Sequence, residues 1–130
     1  MPADAAHLSI DGVEHRYADS TVLHAVSFQA KRGEILCLLG RSGCGKTTLL
    51  RLIAGLEHPA AGTIAVNGAV LTGANAFVPP EKRGIGFMFQ DYALFPHLTV
   101  FENMTFGLKG RPPQDIASAK TLLARVGLES

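Results

Sequence analysis

A glycine-rich loop between an apolar run and an amphipathic helix constrains this chain more than any other feature. The loop is Gly40-Arg41-Ser42-Gly43-Cys44-Gly45-Lys46-Thr47, which has the spacing G-x-x-x-x-G-K-[ST]. Glycines let the backbone curl so that successive N–H groups point inward, and a helix start adds unpaired donors and partial positive charge. A turn that merely joins a strand to a helix would explain the glycines but not Lys46 and Thr47. The pattern therefore predicts a phosphate-binding loop.

Hydrophobic periodicity predicts the elements around this loop. The run from Glu34 to Leu39 is typical of a strand buried on both faces of a parallel sheet. Over Lys46–Leu56 apolar residues fall at helical spacing, and Glu57-His58-Pro59 ends the helix because proline disfavours helix in the residue before it. Ile85–Phe89 is predicted as a further strand, with Gln90 at its C-terminal end. A strand, a loop and a helix in this order indicate an α/β fold.

Further elements are predicted on either side of this unit. Leu8 to Phe28 suggests two antiparallel strands around the turn Ala18-Asp19-Ser20, and Asn67-Gly68 is a strong hairpin signal between Thr63–Val66 and Ala69–Leu71. Residues 72–84 are predicted as a loop. Helices are predicted over Val100–Leu108 and Asp115–Val126, with Gly127 as the stop of the second.

Composition narrows the class of protein. The chain has 130 residues, of which 47% are hydrophobic and 18% charged, as in a globular domain. A net charge of +1 without a basic block argues against nucleic acid as a partner. Cys37 and Cys44 match neither a zinc pattern nor a disulfide framework, so we expect a reduced, cytosolic setting. No apolar run approaches the ~20 residues that span a bilayer, so any membrane role is expected to come through a partner.

The chain resembles the first half of the nucleotide-binding domain of an ABC transporter, from about residue 8 to the end. Four features carry the resemblance. The first is Tyr17, an aromatic residue upstream of the loop, and the second is the helix Leu49–Leu56 followed by Pro59 and Gly62. The third is Gly86–Asp91, which resembles the family's Q-loop, and the fourth is Tyr92–Asn103, which resembles the stretch that contacts the membrane subunits in this family. The implied fold is part of a P-loop NTPase core with an N-terminal antiparallel β subdomain.

The resemblance also implies cofactors and site residues. The cofactors are ATP and Mg²⁺, with Tyr17 stacking on adenine and Gln90 contacting Mg²⁺ or the attacking water. Lys46 and Gln90 are the implied catalytic residues, and Thr47 and Gln90 the implied metal contacts. The implied nucleotide-binding residues are Tyr17, Gly40, Ser42, Gly43, Cys44, Gly45, Lys46, Thr47 and Thr48.

Partners and cargo follow from the same resemblance. The region around Gln90–Phe101 is expected to contact transmembrane permease subunits, with Phe95 and Leu98 as exposed apolar groups; Phe95 packed inward is the alternative. A second copy of the ATPase subunit is expected in the full-length protein, which would lie on the inner face of the cell membrane. The segments Val78–Arg83 and Leu94–Val100 are similar to those of bacterial importers for ferric iron, polyamines, molybdate, sulfate or sugars, and the resemblance favours ferric iron and polyamines.

Several motifs of the family do not occur in these 130 residues: the L-S-G-G-Q signature, the apolar strand ending in Asp-Glu, and the switch histidine. Residues 1–130 are therefore expected to form a partial domain that binds Mg-ATP but hydrolyses it little, if at all, on its own. The alternatives are a non-transport ABC ATPase, a small P-loop kinase, and a nucleotide-binding fragment without catalysis.

Overall fold

The computed structural model describes residues 5–41, 43 and 45–128. These residues fall into two compact units, the first extending through Phe87 and the second beginning at Met88. The first unit contains the glycine-rich loop and the second contains Gln90. Each unit is described by itself below.

An antiparallel sheet of five strands forms most of the first unit, with the spatial order β2-β1-β3-β4-β5. The strands are β1 Ala6–Tyr17, β2 Ser20–Lys31, β3 Ala61–Val66, β4 Ala69–Gly73 and β5 Ala76–Phe77. Both predicted hairpins are confirmed. Tyr17 pairs with Ser20 where β1 turns into β2. Asn67 and Gly68, between β3 and β4, have φ of 51° and 78°, as a two-residue type I′ turn requires.

Helix α1, Lys46–Ala54, packs against this sheet through the apolar stripe that its sequence predicts. Leu49 and Leu52 of the helix join side chains of β1, β2 and β3 in one buried cluster, whose other members are Ile10, Val13, Leu23 and Ile64. Burial of each such side chain contributes about 1.5–3 kcal/mol. The helix that follows the glycine-rich loop is therefore anchored by the antiparallel sheet.

Gly55 ends α1, two residues before the predicted Glu57-His58-Pro59 stop. It has φ of 83°, and its N–H donates to Leu52 O while the N–H of Leu56 donates to Arg51 O. This pair of bonds is a Schellman motif, which reverses the chain at the end of a helix. The reversal sends residues 56 and 57 back along the helix.

The strands predicted at Glu34–Leu39 and Ile85–Phe89 are wrong. Residues 34–39 and 85–89, all within the described ranges, form no strand. Ile35 and Leu39 are each 91% exposed, and only Leu38 of that run packs against the core cluster. A strand of this kind is stabilised by hydrogen bonds to neighbouring strands and by cover on both faces. Neither segment belongs to the described sheet, and most of their side chains are exposed.

The segment predicted as a loop, residues 72–84, is partly structured. It completes β4, adds the short strand β5, and forms a 3-10 helix over Pro80–Lys82. Strand β5 was not predicted because two residues are too few to give a periodic signal, and the residues around them favour turns.

The second unit contains helix α2, Val100–Thr105, a 3-10 helix over Phe106–Leu108, and helix α3, Pro113–Arg125. Both predicted helices are confirmed, the first with a 3-10 end. Gly127, with φ of 74°, closes α3 by a second Schellman motif, in which Leu128 N–H donates to Leu123 O. Among the described residues, no helix is both long and apolar enough to cross a membrane.

Candidate functional site

The glycine-rich loop leads directly into α1, and Gly45 is the helix N-cap. Gly45 has φ of 95°, and its carbonyl accepts the first helical bond from Leu49 N–H at 2.9 Å. A Cβ at this position would lie 2.8 Å from Val22 O and 2.8 Å from Leu23 Cδ2. Only glycine fits here, because both the backbone conformation and the approach of β2 exclude a side chain. The loop is thus held tightly against the sheet.

The Lys46 ammonium lies back across this loop. Its Nζ donates to the carbonyl oxygen of Gly40 and to that of Arg41, the second at 3.4 Å. Thr47 follows in the first helical turn with its side chain exposed. The N–H groups of a first helical turn have no partner within the helix. Cationic, hydroxyl and amide donors therefore meet at the start of α1, as an anion site requires.

Four other predicted nucleotide-binding residues have different outcomes. Gly43 has φ of 80°, which suits the curled backbone of the loop. Ser42 and Cys44 lie outside the described residues. Thr48, which we expected to contact the phosphate chain, is buried, and its Oγ1 lies 3.3 Å from the Tyr17 hydroxyl. Its role toward a nucleotide stays a prediction.

Tyr17 stands at the end of β1, and its hydroxyl is held against α1. The hydroxyl donates to Glu57 Oε2 at 2.5 Å, which is a short, charge-assisted bond. The ring lies edge-on to His15, with centroids 4.7 Å apart. Nevertheless 46% of the Tyr17 side chain remains exposed. One end of the ring is fixed while a large part of its surface is accessible.

Glu57 is shared by three donors. Its Oε2 also lies 3.2 Å from His15 Nε2, and its Oε1 lies 3.5 Å from the Arg51 guanidinium. Nδ1 of His15 is buried without a hydrogen-bond partner in the described part of the chain. A proton on Nε2 would be accepted by the carboxylate, whereas a proton on Nδ1 would have no acceptor in that part of the chain.

The Glu57 carboxylate raises the pKa of Tyr17, because it accepts a hydrogen bond that only the protonated phenol donates; the nearby Thr48 hydroxyl opposes this shift. The phenol consequently remains a donor across the neutral pH range. Because the phenol keeps this proton in that range, the hydrogen bond that positions the Tyr17 ring is not lost by deprotonation of the phenol.

Sequence reasoning missed the contacts of His15, Arg51 and Glu57. Glu57 entered the prediction only as part of a helix stop, and Arg51 only as part of a family-like helix. The contacts depend on the Schellman turn at Gly55, which brings Glu57 back toward β1. The glycine gave a signal for a helix end, but no local pattern relates that end to residues 15 and 17.

Gln90 belongs to the second unit and lies in a turn rather than at the end of a strand, with its side chain exposed. The turn continues through Tyr92 and Ala93, whose φ values are 62° and 50°. These are uncommon conformations for residues other than glycine. The strand that was expected to position Gln90 is one of the two wrong predictions, and the predicted roles of Gln90 stay predictions.

Asn103 fixes the apolar segment that follows this turn. Its side-chain amide donates to the carbonyls of Phe95, Leu98 and Thr99, and its Oδ1 accepts from Phe95 N–H at 2.8 Å. Phe95 is 39% exposed and its ring packs 4.4 Å from that of Phe106, so both alternatives for this residue hold in part. Leu98 is half-buried. Tyr92 and Leu94 are more exposed, at 77% and 69%.

The glycine-rich loop precedes α1 on an α/β scaffold, and the Lys46 ammonium lies across it. This arrangement defines a P-loop NTPase. A family model described as ABC transporter matches residues 23–130. The chain belongs to the ABC transporter family of ATP-binding domains.

Curated relatives agree with this assignment. The chain is 47% identical over 124 residues to the Fe(3+) ions import ATP-binding protein FbpC 1 of Rhodococcus jostii (strain RHA1), covering 94% of this chain and 35% of the relative. It is 52% identical over 116 residues to the sulfate/thiosulfate import ATP-binding protein CysA of Mycobacterium tuberculosis (strain ATCC 25618 / H37Rv), covering 87% and 32%. The chain spans about a third of the length of these relatives.

Proposed function

We propose that this chain is the part of an ABC importer's ATP-binding subunit that binds the phosphates and the base of Mg-ATP. The observation that carries the proposal is the position of Lys46, whose ammonium lies across the glycine loop at the start of α1. A cation, a helix start and positive-φ glycines in one place suit a triphosphate. Gly40, Ser42, Gly43, Cys44 and Gly45 would provide the loop, with Thr48 further back along the phosphates.

Tyr17 would support the adenine in the same site. Its exposed ring surface and its fixed hydroxyl suit stacking, which tolerates any base because every base has a π-face. Tyr17 and the phosphate loop both contact α1, so this one helix would position both the adenine and the phosphates.

Mg²⁺ is proposed as the second cofactor. The hydroxyl of Thr47 is exposed in the first turn of α1, where it can bind a cation that also contacts the phosphates. Gln90 would provide a neutral amide oxygen for the same ion or for the attacking water. When bound, the ion would neutralise charge that develops on the transferred phosphoryl group. Lys46 and Gln90 are the residues proposed to act in catalysis.

Hydrolysis is proposed for the full-length protein rather than for these 130 residues alone. Phosphoryl transfer needs a positioned nucleophile as well as charge stabilisation. The resemblance assigns the catalytic base and the signature motif to sequence that does not occur here. We infer that the 130-residue chain binds Mg-ATP and turns it over slowly at most.

The relatives support a role in import. One of them is named for Fe(3+) ions and another for sulfate/thiosulfate. Of the two cargoes that the sequence favoured, ferric iron has the support of a relative and polyamine has none. Ferric iron is therefore the cargo we favour. The apolar segment at Tyr92 and Leu94 suits contact with permease subunits, as proposed for Gln90–Phe101. With a second copy of the subunit, the protein would then act in the cytoplasm, at the inner face of the membrane. Co-purification with permease subunits would separate this role from that of a non-transport ABC ATPase.

ATP titration of the full-length protein by calorimetry tests the proposal. We expect K46A to weaken Mg-ATP binding at least tenfold, since it removes the cation from the loop. K82A, which removes an exposed lysine on the 3-10 helix, is the matched control and should leave binding unchanged. Equal affinities of the wild type and K46A would contradict the proposed site.

A further inference from the structure

Glu57 joins the base end of the proposed site to the helix that begins at the phosphate end. Its carboxylate accepts the Tyr17 hydroxyl at 2.5 Å and contacts Arg51 of α1 at 3.5 Å. Glu57 itself follows the Schellman turn that closes α1. The aromatic ring and the phosphate-loop helix are thereby connected through one side chain.

The position of Tyr17 makes such a connection useful. Tyr17 is the last residue of β1, and the turn residue Ala18 that follows has φ of 49°. A half-exposed side chain at a strand end has several rotamers open to it, and fixing one before the ligand arrives reduces the entropy that binding must remove. The His15 ring packs against the Tyr17 ring from one side, and Glu57 fixes the hydroxyl end.

We propose that Glu57 is a positioning residue, which holds the Tyr17 ring at a set place relative to α1 so that adenine and triphosphate are recognised together. His15 and Arg51 orient the carboxylate, because each contacts one of its oxygens. The inference rests on the proposed function, since it presumes that Tyr17 lies against the base. It assigns Glu57 no contact with the nucleotide.

The test compares two ligands, Mg-ATP and inorganic tripolyphosphate with Mg²⁺, on the full-length protein. Tripolyphosphate has the phosphates without the base, so a residue that acts through Tyr17 changes the affinity for ATP only. E57A removes the acceptor, and Y17F removes the hydroxyl while it keeps the ring. E81Q, on the 3-10 helix Pro80–Lys82, is a control for loss of a carboxylate elsewhere in the first unit.

We expect E57A and Y17F each to weaken ATP binding about fivefold, the scale of ordering one side chain, with tripolyphosphate unaffected. The double variant E57A/Y17F should be no worse than either single one, because both remove the same interaction. Unchanged ATP affinity in E57A, additive losses, or equal losses for both ligands would overturn the inference. Should E57A fail to fold, Y17F decides, and wild-type affinity in Y17F overturns it.

Y17A separates this inference from the proposed function beneath it. If Y17A weakens ATP binding and E57A does not, Tyr17 contacts the base without help from Glu57, and only the inference fails. If Y17A binds ATP as the wild type does, the adenine position itself is wrong.

Discussion

Arg83 occupies the space beside Gly55 that any larger residue at the end of α1 would need. A Cβ on Gly55 would lie 2.8 Å from Arg83 Cζ. The guanidinium is buried there, and its hydrogen-bond partners in the described part of the chain are neutral oxygens: Leu52 O, Ile53 O, Leu71 O, Val78 O and Thr72 Oγ1. Burial lowers the pKa of Arg83. The negative end of the helix dipole compensates for the charge.

Replacement of Arg83 should therefore destabilise the first unit. R83M removes the guanidinium donors to Ile53 O, Val78 O and Thr72 Oγ1, while Leu52 O and Leu71 O still accept from backbone N–H groups. Each buried group left unsatisfied costs about 1–3 kcal/mol. We expect the free energy of unfolding, measured by urea denaturation of the full-length protein, to fall by about 2 kcal/mol or more. K82M, at the exposed neighbouring position, should change it by less than about 0.5 kcal/mol. Similar values for the two variants would show that Arg83 has no special structural role.

A substitution at Gly55 should interact energetically with one at Arg83. G55A places a methyl group against the guanidinium and a side chain at φ of 83°, so we expect a loss of about 1–3 kcal/mol in unfolding free energy. In an R83A background, which lacks the side-chain atoms that the methyl group would meet, the steric part disappears, and the added loss should be smaller. A double-mutant cycle measures this difference. Strictly additive losses would contradict the contact.

Gly45 should be more sensitive to substitution than Gly43. Both have positive φ, but a Cβ at Gly45 meets Val22 O at 2.8 Å, whereas one at Gly43 meets no described atom within 4 Å. G45A must therefore move the loop away from β2, and G43A has only the backbone strain, about 1–3 kcal/mol. We expect G45A to weaken ATP binding more than G43A, as measured by calorimetric titration. The reverse order would show that contact with β2 does not set the loop geometry.

Glu102 is predicted to have a depressed pKa. It forms a capping box with Thr99: its Oε2 accepts from Thr99 N–H at 2.8 Å, and its own N–H donates to Thr99 Oγ1 at 3.2 Å. The bond from the Thr99 backbone lowers the pKa of Glu102. Because the folded pKa lies below the unfolded one, the stabilisation of α2 is present above the unfolded pKa and is lost as pH falls through the folded pKa.

Carbon-13 NMR of the side-chain carboxyl group measures this pKa, and the resonance absent from E102Q identifies Glu102. The midpoint should lie below the usual value for glutamate, about 4.3. A midpoint at or above that value would mean that the capping box does not persist in solution.

Local signals were enough to predict much of this structure. The Asn67-Gly68 hairpin, the stripe of α1 and the stop at Gly127 each depend on residues close together in sequence. The glycine-rich loop was likewise predicted from its own residue types. For these elements the backbone preference and the packing agree.

The features that sequence reasoning missed depend on distant residues. The runs at 34–39 and 85–89 have the composition of buried strands, but a strand also needs neighbours, and composition does not show whether they are present. Arg83 falls within residues 72–84, which were predicted as a loop, yet it is buried and donates to Ile53 O of α1 and Thr72 Oγ1 of β4. The bond between Tyr17 and Glu57 likewise joins residues far apart in the chain.

Hydrogen exchange of the full-length protein with and without Mg-ATP tests the central claim most directly, because it localises the nucleotide on the chain. We predict increased protection in peptides that contain Gly40–Thr47 and in those that contain Tyr17. Peptides from Ala69–Phe77 serve as the internal reference and should not change. ATP binding at saturation without protection of Gly40–Thr47 would contradict the account.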